Sequence, residues 1–141
     1  MSRSVKGSCL CGAVAFEAET PKSVNVCHCS MCRRWTGGPF MACHADGGVA
    51  FSREDGLTWY DSSDWAERGF CSVCGSSLFY RLKDKPSELI ILAGALDLPD
   101  GMTLGSEIFI DEKPDFYDLA GERPRLTGPE FLAQLQGGNQ T

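Results

Sequence analysis

Seven of the eight cysteines fall into three short groups whose spacing suits a thiophilic metal ion. The first is Gly7-Ser8-Cys9-Leu10-Cys11-Gly12; on an extended backbone residues i and i+2 point the same way, so Cys9 and Cys11 can face one ion. The last is Phe70-Cys71-Ser72-Val73-Cys74-Gly75. A C-x-x-C followed by Gly has the shape of a zinc knuckle, whose turn brings both sulfurs to ~2.3 Å from the metal, and Gly tolerates the backbone that follows. Together these two pairs supply four thiolates, enough to close a tetrahedral structural site and clamp a small core. The central group, Cys27-His28-Cys29-Ser30-Met31-Cys32, offers three sulfurs within six residues. Three is the ligand count of a zinc that keeps one position for water or substrate. Two zinc ions per chain are therefore expected.

Competing readings exist for each group. Cys9, Cys11, Cys71 and Cys74 could form disulfides, although a ring through C-x-C is strained. Cys29-x-x-Cys32 could be a redox dithiol, against which stand the neighbouring Cys27 and the lack of a βαβ setting. Cys43, in the run Phe40-Met41-Ala42-Cys43-His44, reads as a small core residue or as a fourth ligand that would close the central site. His28 lies between two ligands and is expected to point away from their ion, either beside the site or in solvent, and His44 is read the same way. No residue presents itself as an obvious general base.

The elements that must position these groups are short strands. Val14, Phe16 and Ala18 alternate with Ala15 and Glu17, giving one buried and one wetter face. Similar runs cover residues 23–26, 40–43, 49–51, 57–60, 77–82, 89–93 and 107–110. Sixteen glycines and seven prolines punctuate them, so an all-β layout is expected. Residues 30–35 suit about one helical turn. Thr127-Gly128-Pro129-Glu130 has the form of a capping box. It starts a helix over about residues 128–136 that presents Phe131, Leu132 and Leu135, stops at Gly137-Gly138 and leaves Asn139-Gln140-Thr141 frayed.

At 141 residues the chain reads as one domain, 1–141, with its core over about 5–120. No apolar run approaches the ~18 residues of a membrane span. The segment Met1-Ser2-Arg3-Ser4-Val5-Lys6-Gly7 has no apolar stretch after its charges, so a reducing cytoplasm is expected. The net charge of −6 argues against nucleic acid and acidic membranes as partners. Seven thiolates and two zinc ions would add roughly −3 more.

The ordered combination Gly7-x-Cys9-x-Cys11-Gly12-x-Val14, Cys27-His28-Cys29-Ser30-x-Cys32-Arg33 and Phe70-Cys71-x-x-Cys74-Gly75-Ser76 resembles the glutathione-dependent formaldehyde-activating enzyme family. That family shares its domain with centromere protein V-like proteins, and the resemblance spans roughly residues 5 to 120. It implies a β-tent fold of short antiparallel sheets built around zinc. It also implies a structural zinc on Cys9, Cys11, Cys71 and Cys74 and a catalytic-type zinc on Cys27, Cys29 and Cys32. The stretch Ile108-Phe109-Ile110-Asp111-Glu112-Lys113-Pro114 resembles one that often carries His before the Ile; here Glu107 holds that place, and Phe116-Tyr117 replaces a downstream Trp.

The activity so implied is that of a carbon–sulfur lyase, joining glutathione to formaldehyde as S-hydroxymethylglutathione, or to another small carbonyl compound. Arg33 or Arg34 could then meet a glutathione carboxylate, or could be a solvated face that neutralises zinc thiolates. Trp35 could wall the pocket or fill the core. Two non-catalytic readings stand beside this one: a zinc-stabilised binding module, and a thiol or zinc sensor using the central group.

Overall fold

The β-branched and aromatic residues of this chain come in runs too short for anything but brief strands, and a computed structural model, describing residues 2–136, shows them as such. In chain order the strands are β1 Ser2–Ser8, β2 Ala15–Pro21, β3 Ser23–Cys27, β4 Phe40–His44, β5 Asp46–Arg53 and β6 Leu57–Asp61. They continue with β7 Ala66–Cys71, β8 Ser77–Leu82, β9 Ile90–Leu92, β10 Thr103–Ile108 and β11 Arg125–Leu126. Helix α1 spans Ser30–Thr36 and α2 spans Gly128–Gln136, so the chain is mainly β with a short C-terminal helix. The described residues divide into two compact units, one formed by the chain up to Ser23 with Ala42–Thr103, the other by Val24–Met41 with the chain from Leu104 on.

The first unit holds the antiparallel sheet β1-β2-β5 and the antiparallel run β9-β8-β7-β6, with Ala42, Cys43 and His44 of β4 paired to β9. Along β2 the buried Phe16 and Ala18 alternate with exposed Glu17 and Glu19, the expected two-sided pattern. Its core centres on Phe79, whose ring meets Phe16 at 5.0 Å, Phe51 at 5.6 Å and Trp59 at 6.1 Å. Burying one such side chain contributes about 1.5–3 kcal/mol. Gly7 is required beside this cluster, because a Cβ there would stand 2.5 Å from the Phe16 ring.

Three strands lie outside the expected set. β1 and β7 carry polar residues that mask their alternation. In β7, Arg68 is buried with its guanidinium over the Tyr80 ring. β11 is a two-residue parallel pairing of Arg125 and Leu126 with Glu107 and Ile108.

The second unit contains the run β11-β10-β3, with Ser106 Oγ donating to Asn25 Oδ1 at 2.9 Å. β10 ends at Ile108 rather than continuing to residue 110. Phe109 adopts a left-handed conformation (φ 56°), uncommon outside glycine, and a 3-10 turn over Ile110–Glu112 follows. The ring of Phe109 then packs on Phe131 of α2. The capping box forms as expected: Thr127 N donates to Glu130 Oε1 at 2.8 Å and Glu130 N to Thr127 Oγ1 at 3.2 Å. Of the expected apolar face only Phe131 is half-buried; Leu132 and Leu135 are exposed. The expected stop at Gly137-Gly138 and the tail Asn139-Gln140-Thr141 lie outside the described residues.

Candidate metal centres

The first sulfur group sits on two hairpin turns. β1 and β2 pair from Ser2↔Pro21 to Ser8↔Ala15, and Cys9 N donates to Val14 O at 3.0 Å to close the loop that carries Cys9 and Cys11. β7 and β8 are joined by the Cys71–Gly75 turn, in which Gly75 N donates to Cys71 O at 2.7 Å. Gly12 (φ 86°) and Gly75 (φ 80°) supply the left-handed residues of the two turns. Gly56 ties the turns together: its N–H donates to Ala13 O at 3.2 Å, and its carbonyl accepts from Ser72 N at 2.8 Å. Leu10 N adds a bond to Ser76 Oγ at 3.1 Å.

These bonds bring Cys9 Sγ to 3.7 Å from Cys11 Sγ, and Cys11 Sγ to 3.8 Å from Cys71 Sγ. Sulfurs held tetrahedrally by one zinc stand ~3.8 Å apart, whereas a disulfide needs ~2.05 Å. The spacing fits a metal centre, and none of the eight cysteines is in a disulfide. Cys9 and Cys11 meet through a bent turn, not through the strand alternation inferred from their spacing.

The environment of each thiol differs. Bonds from Ser76 draw Cys74 down to about 5. Burial of Cys9 is outweighed by bonds with the Val14 backbone, Cys71 and Cys11, which lower it. Cys11 is pulled down by the Ala13 backbone but pushed up to about 11 by burial and the neighbouring sulfurs.

The second group sits where β3 passes into α1. The sulfurs of Cys27, Cys29 and Cys32 lie within 4.8 Å of one another, as do the four sulfurs of the first group. Cys29 is the N-cap of α1 and accepts from Cys32 N at 3.4 Å, while Ser30 N donates to Glu112 Oε1 at 2.8 Å. Cys27 and Cys32 are buried and Cys29 is half-buried. Bonds with Cys27 and then Cys32 draw Cys29 down to about 2. Bonds with Cys29 and then Cys32, together with burial, raise Cys27.

Cys43 belongs to neither group. It is fully buried in β4 opposite Ile91, where burial raises its thiol, as for a small core residue. Arg33 donates from Nε to His28 O at 2.9 Å, Arg34 is exposed on α1, and Trp35 packs on Phe40 with ring centres 6.4 Å apart.

His28 is not among the three grouped ligand atoms, and it is wholly buried rather than in solvent. Its Nε2 bonds Glu107 Oε1 at 2.8 Å and its Nδ1 bonds Tyr117 Oη at 2.8 Å. Glu107 is 1% exposed; its second oxygen accepts from Arg123 Nη1 and, at 3.0 Å, from Arg125 Nε. Burial alone would raise the Glu107 carboxyl, yet His28, Arg123 and Arg125 hold it below its ordinary value. Sequence spacing gave no hint of this cluster. Its one signal was a carboxylate at the head of the apolar run Ile108-Phe109-Ile110, and a buried carboxylate requires partners.

Residues 4–112 match the profile of the glutathione-dependent formaldehyde-activating enzyme family. The chain belongs to that family. An uncharacterized lyase of Schizosaccharomyces pombe is 33% identical over 132 residues, covering 92% of this chain and 96% of its own. A Halomonas elongata protein, provisionally named a glutathione-dependent formaldehyde-activating enzyme, is 30% identical over 135 residues, covering 82% of this chain and 80% of its own. A crystal structure of a Rhodobacter sphaeroides protein superposes with a TM-score of 0.57 at 27% identity, covering 85% of this chain and 98% of that one. Glu107 and Tyr117 bond the same imidazole. Among the described residues no helix is long and apolar enough to cross a membrane.

Proposed function

We propose that this chain is a zinc-dependent protein of the carbon–sulfur lyase type, joining a small thiol such as glutathione to formaldehyde or another small aldehyde. The observation that carries the reading is the group of three mutually close sulfurs, Cys27, Cys29 and Cys32, in a member of this family. Four sulfurs, Cys9, Cys11, Cys71 and Cys74, hold a structural zinc, and the other three hold a second ion. His28 is not its fourth ligand, since both ring nitrogens are engaged elsewhere. Zinc with an open position supplies Lewis-acid polarisation of a carbonyl, or a lowered pKa for a thiol.

In the reaction the thiol sulfur bonds the carbonyl carbon, the π pair moves to oxygen, and the thiol proton ends on that oxygen. No oxidant is needed, and the reverse step cleaves the same carbon–sulfur bond. Arg33 is anchored through Nε to the His28 carbonyl, which leaves its terminal N–H groups to meet a substrate carboxylate. Arg34 is a second, more exposed contact, and Trp35, packed on Phe40, is an apolar one. In this reading the whole chain is one catalytic domain working in the cytoplasm, where its thiols stay reduced.

The test is NMR exchange spectroscopy with glutathione and 13C-formaldehyde, together with metal analysis. Two zinc ions per chain and accelerated formation of the hydroxymethyl thioether are expected, with the acceleration lost in Cys29→Ser. Two-zinc protein that leaves the exchange at its uncatalysed rate would turn the reading to a non-catalytic metal-binding module.

A further inference from the structure

Between the first two sulfurs of the second group stands a single residue, and it is held from four directions. The His28 N–H donates to Ile108 O at 3.1 Å, and its carbonyl accepts from Arg33 Nε at 2.9 Å. Its Nε2 meets Glu107 and its Nδ1 meets Tyr117, each at 2.8 Å. A carboxylate only accepts, so Nε2 carries the proton in the first ring bond. Glu107 is in turn fixed by Arg123 and Arg125. Tyr117 is fixed through its backbone carbonyl by Lys113 Nζ, which also pairs with Asp118 at 2.9 Å.

Filling this space with apolar side chains would avoid the desolvation of a carboxylate and two guanidinium groups. What the polar cluster supplies that an apolar one cannot is direction. Hydrogen bonds to both ring nitrogens set the rotation of the imidazole as well as its position. The Cα of His28 is covalently one residue from Cys27 and one from Cys29, so fixing it fixes the origin from which both thiolates extend.

We propose that Glu107 and Tyr117 are positioning residues of the second metal centre, acting through His28 to set the angle at which the Cys27 and Cys29 thiolates meet the ion. This rests on the reading that Cys27, Cys29 and Cys32 hold a metal. The same logic applies to groups outside a metal's own ligands that orient those ligands, whose removal costs about 10–100-fold in metal affinity.

The test is cobalt(II) titration of the full chain, following the thiolate-to-cobalt and ligand-field bands, with chelator competition for affinity. The variants are Tyr117→Phe, Glu107→Ala and Glu107→Gln. Wild-type chain should take up two ions. Glu107→Ala should weaken only the second by about tenfold or more and shift its ligand-field bands. Glu107→Gln should recover most of the affinity, because a Gln oxygen still accepts from Nε2–H. Tyr117→Phe, which removes one oxygen and keeps the ring, should shift the second ion's bands with a smaller loss. If Glu107→Ala does not fold, Tyr117→Phe decides.

Two ions bound with wild-type affinity and bands in Tyr117→Phe and Glu107→Gln, and in Glu107→Ala where it folds, would overturn the positioning role while sparing the metal reading. A lower melting temperature with unmoved bands would do the same, marking the cluster as support for the fold alone. Uptake of one ion by the wild-type chain would overturn the metal reading itself.

Discussion

In the first unit the sulfurs ride on two hairpin turns; in the second they ride on the junction of a strand and a seven-residue helix. The frame of the four-sulfur group is backbone: main-chain bonds close both turns, and Gly56 joins them. The frame of the three-sulfur group has one main-chain bond to a distant strand, His28 N to Ile108 O, and is otherwise made largely by side chains from far along the sequence. Glu107 and Tyr117 lie 79 and 89 residues from His28, and Glu112 lies 82 from Ser30. A backbone frame suits a site whose task is to hold the fold, because it changes only if the chain unfolds. A side-chain frame can be tuned one residue at a time without disturbing the sheets, which suits a site whose task is chemistry.

The largest expected effect separates the two groups outright. Cys71 is wholly buried, and on the proposed reading Cys71→Ser should remove the first ion together with the stability it would supply. Structural zinc contributes on the order of 10 kcal/mol or more, as much as the whole stability of an ordinary domain. Loss of the cooperative thermal transition by circular dichroism is the expected readout. Cys29→Ser should keep that transition and lower the zinc count from two to one. If Cys29→Ser unfolds the chain while Cys71→Ser leaves it folded, the division of labour is reversed.

A subtler change probes the backbone frame alone. A Cβ at Gly56 would lie 2.9 Å from both Ala13 Cβ and Cys71 Sγ. Gly56→Ala should therefore push the two turns apart, costing about 1–3 kcal/mol in urea unfolding. It should also speed chelator release of the first zinc and leave the second unchanged. Equal acceleration at both ions would mean that the two frames are not independent.

The same contrast explains how much of the molecule was legible in its sequence. Local geometry was legible: C-x-C and C-x-x-C-Gly foretold which sulfurs meet, Val14-Ala15-Phe16-Glu17-Ala18 foretold a two-faced strand, and Thr127 with Glu130 foretold a helix cap. Within each motif this depends on residues a few positions apart, whereas the meeting of Cys11 with Cys71 spans 60 residues and followed only from counting ligands. β7 was hidden because Glu67 and Arg68 look like solvent residues until Tyr80 is known to cover Arg68. The end of β10 was hidden because nothing about Phe109 announces a left-handed backbone. The partners of His28 were hidden for the most basic reason: a buried imidazole states a need for two hydrogen bonds, but not which distant residues will make them.

The smallest expected effect tests the side-chain frame by pH. Glu107 is held below the ordinary carboxylate value by His28, Arg123 and Arg125, which outweigh its burial. A carboxyl depressed in the folded state adds stability that is fully present above its unfolded pKa of ~4.3, and that is lost as pH falls through the lower folded value. Acid also strips metal from thiolates, so an acid melt of the wild-type chain alone mixes two causes. Glu107→Gln separates them, since it cannot titrate while its cysteines are unchanged. The difference in unfolding free energy between the two chains should be constant from neutral pH down to about pH 5, above the ordinary carboxylate range. Below that it should shrink, as the wild-type carboxylate takes up a proton and loses its attraction to the two guanidinium groups. A difference that stays constant through the acid range would mean that Glu107 contributes shape to the second unit but no charge.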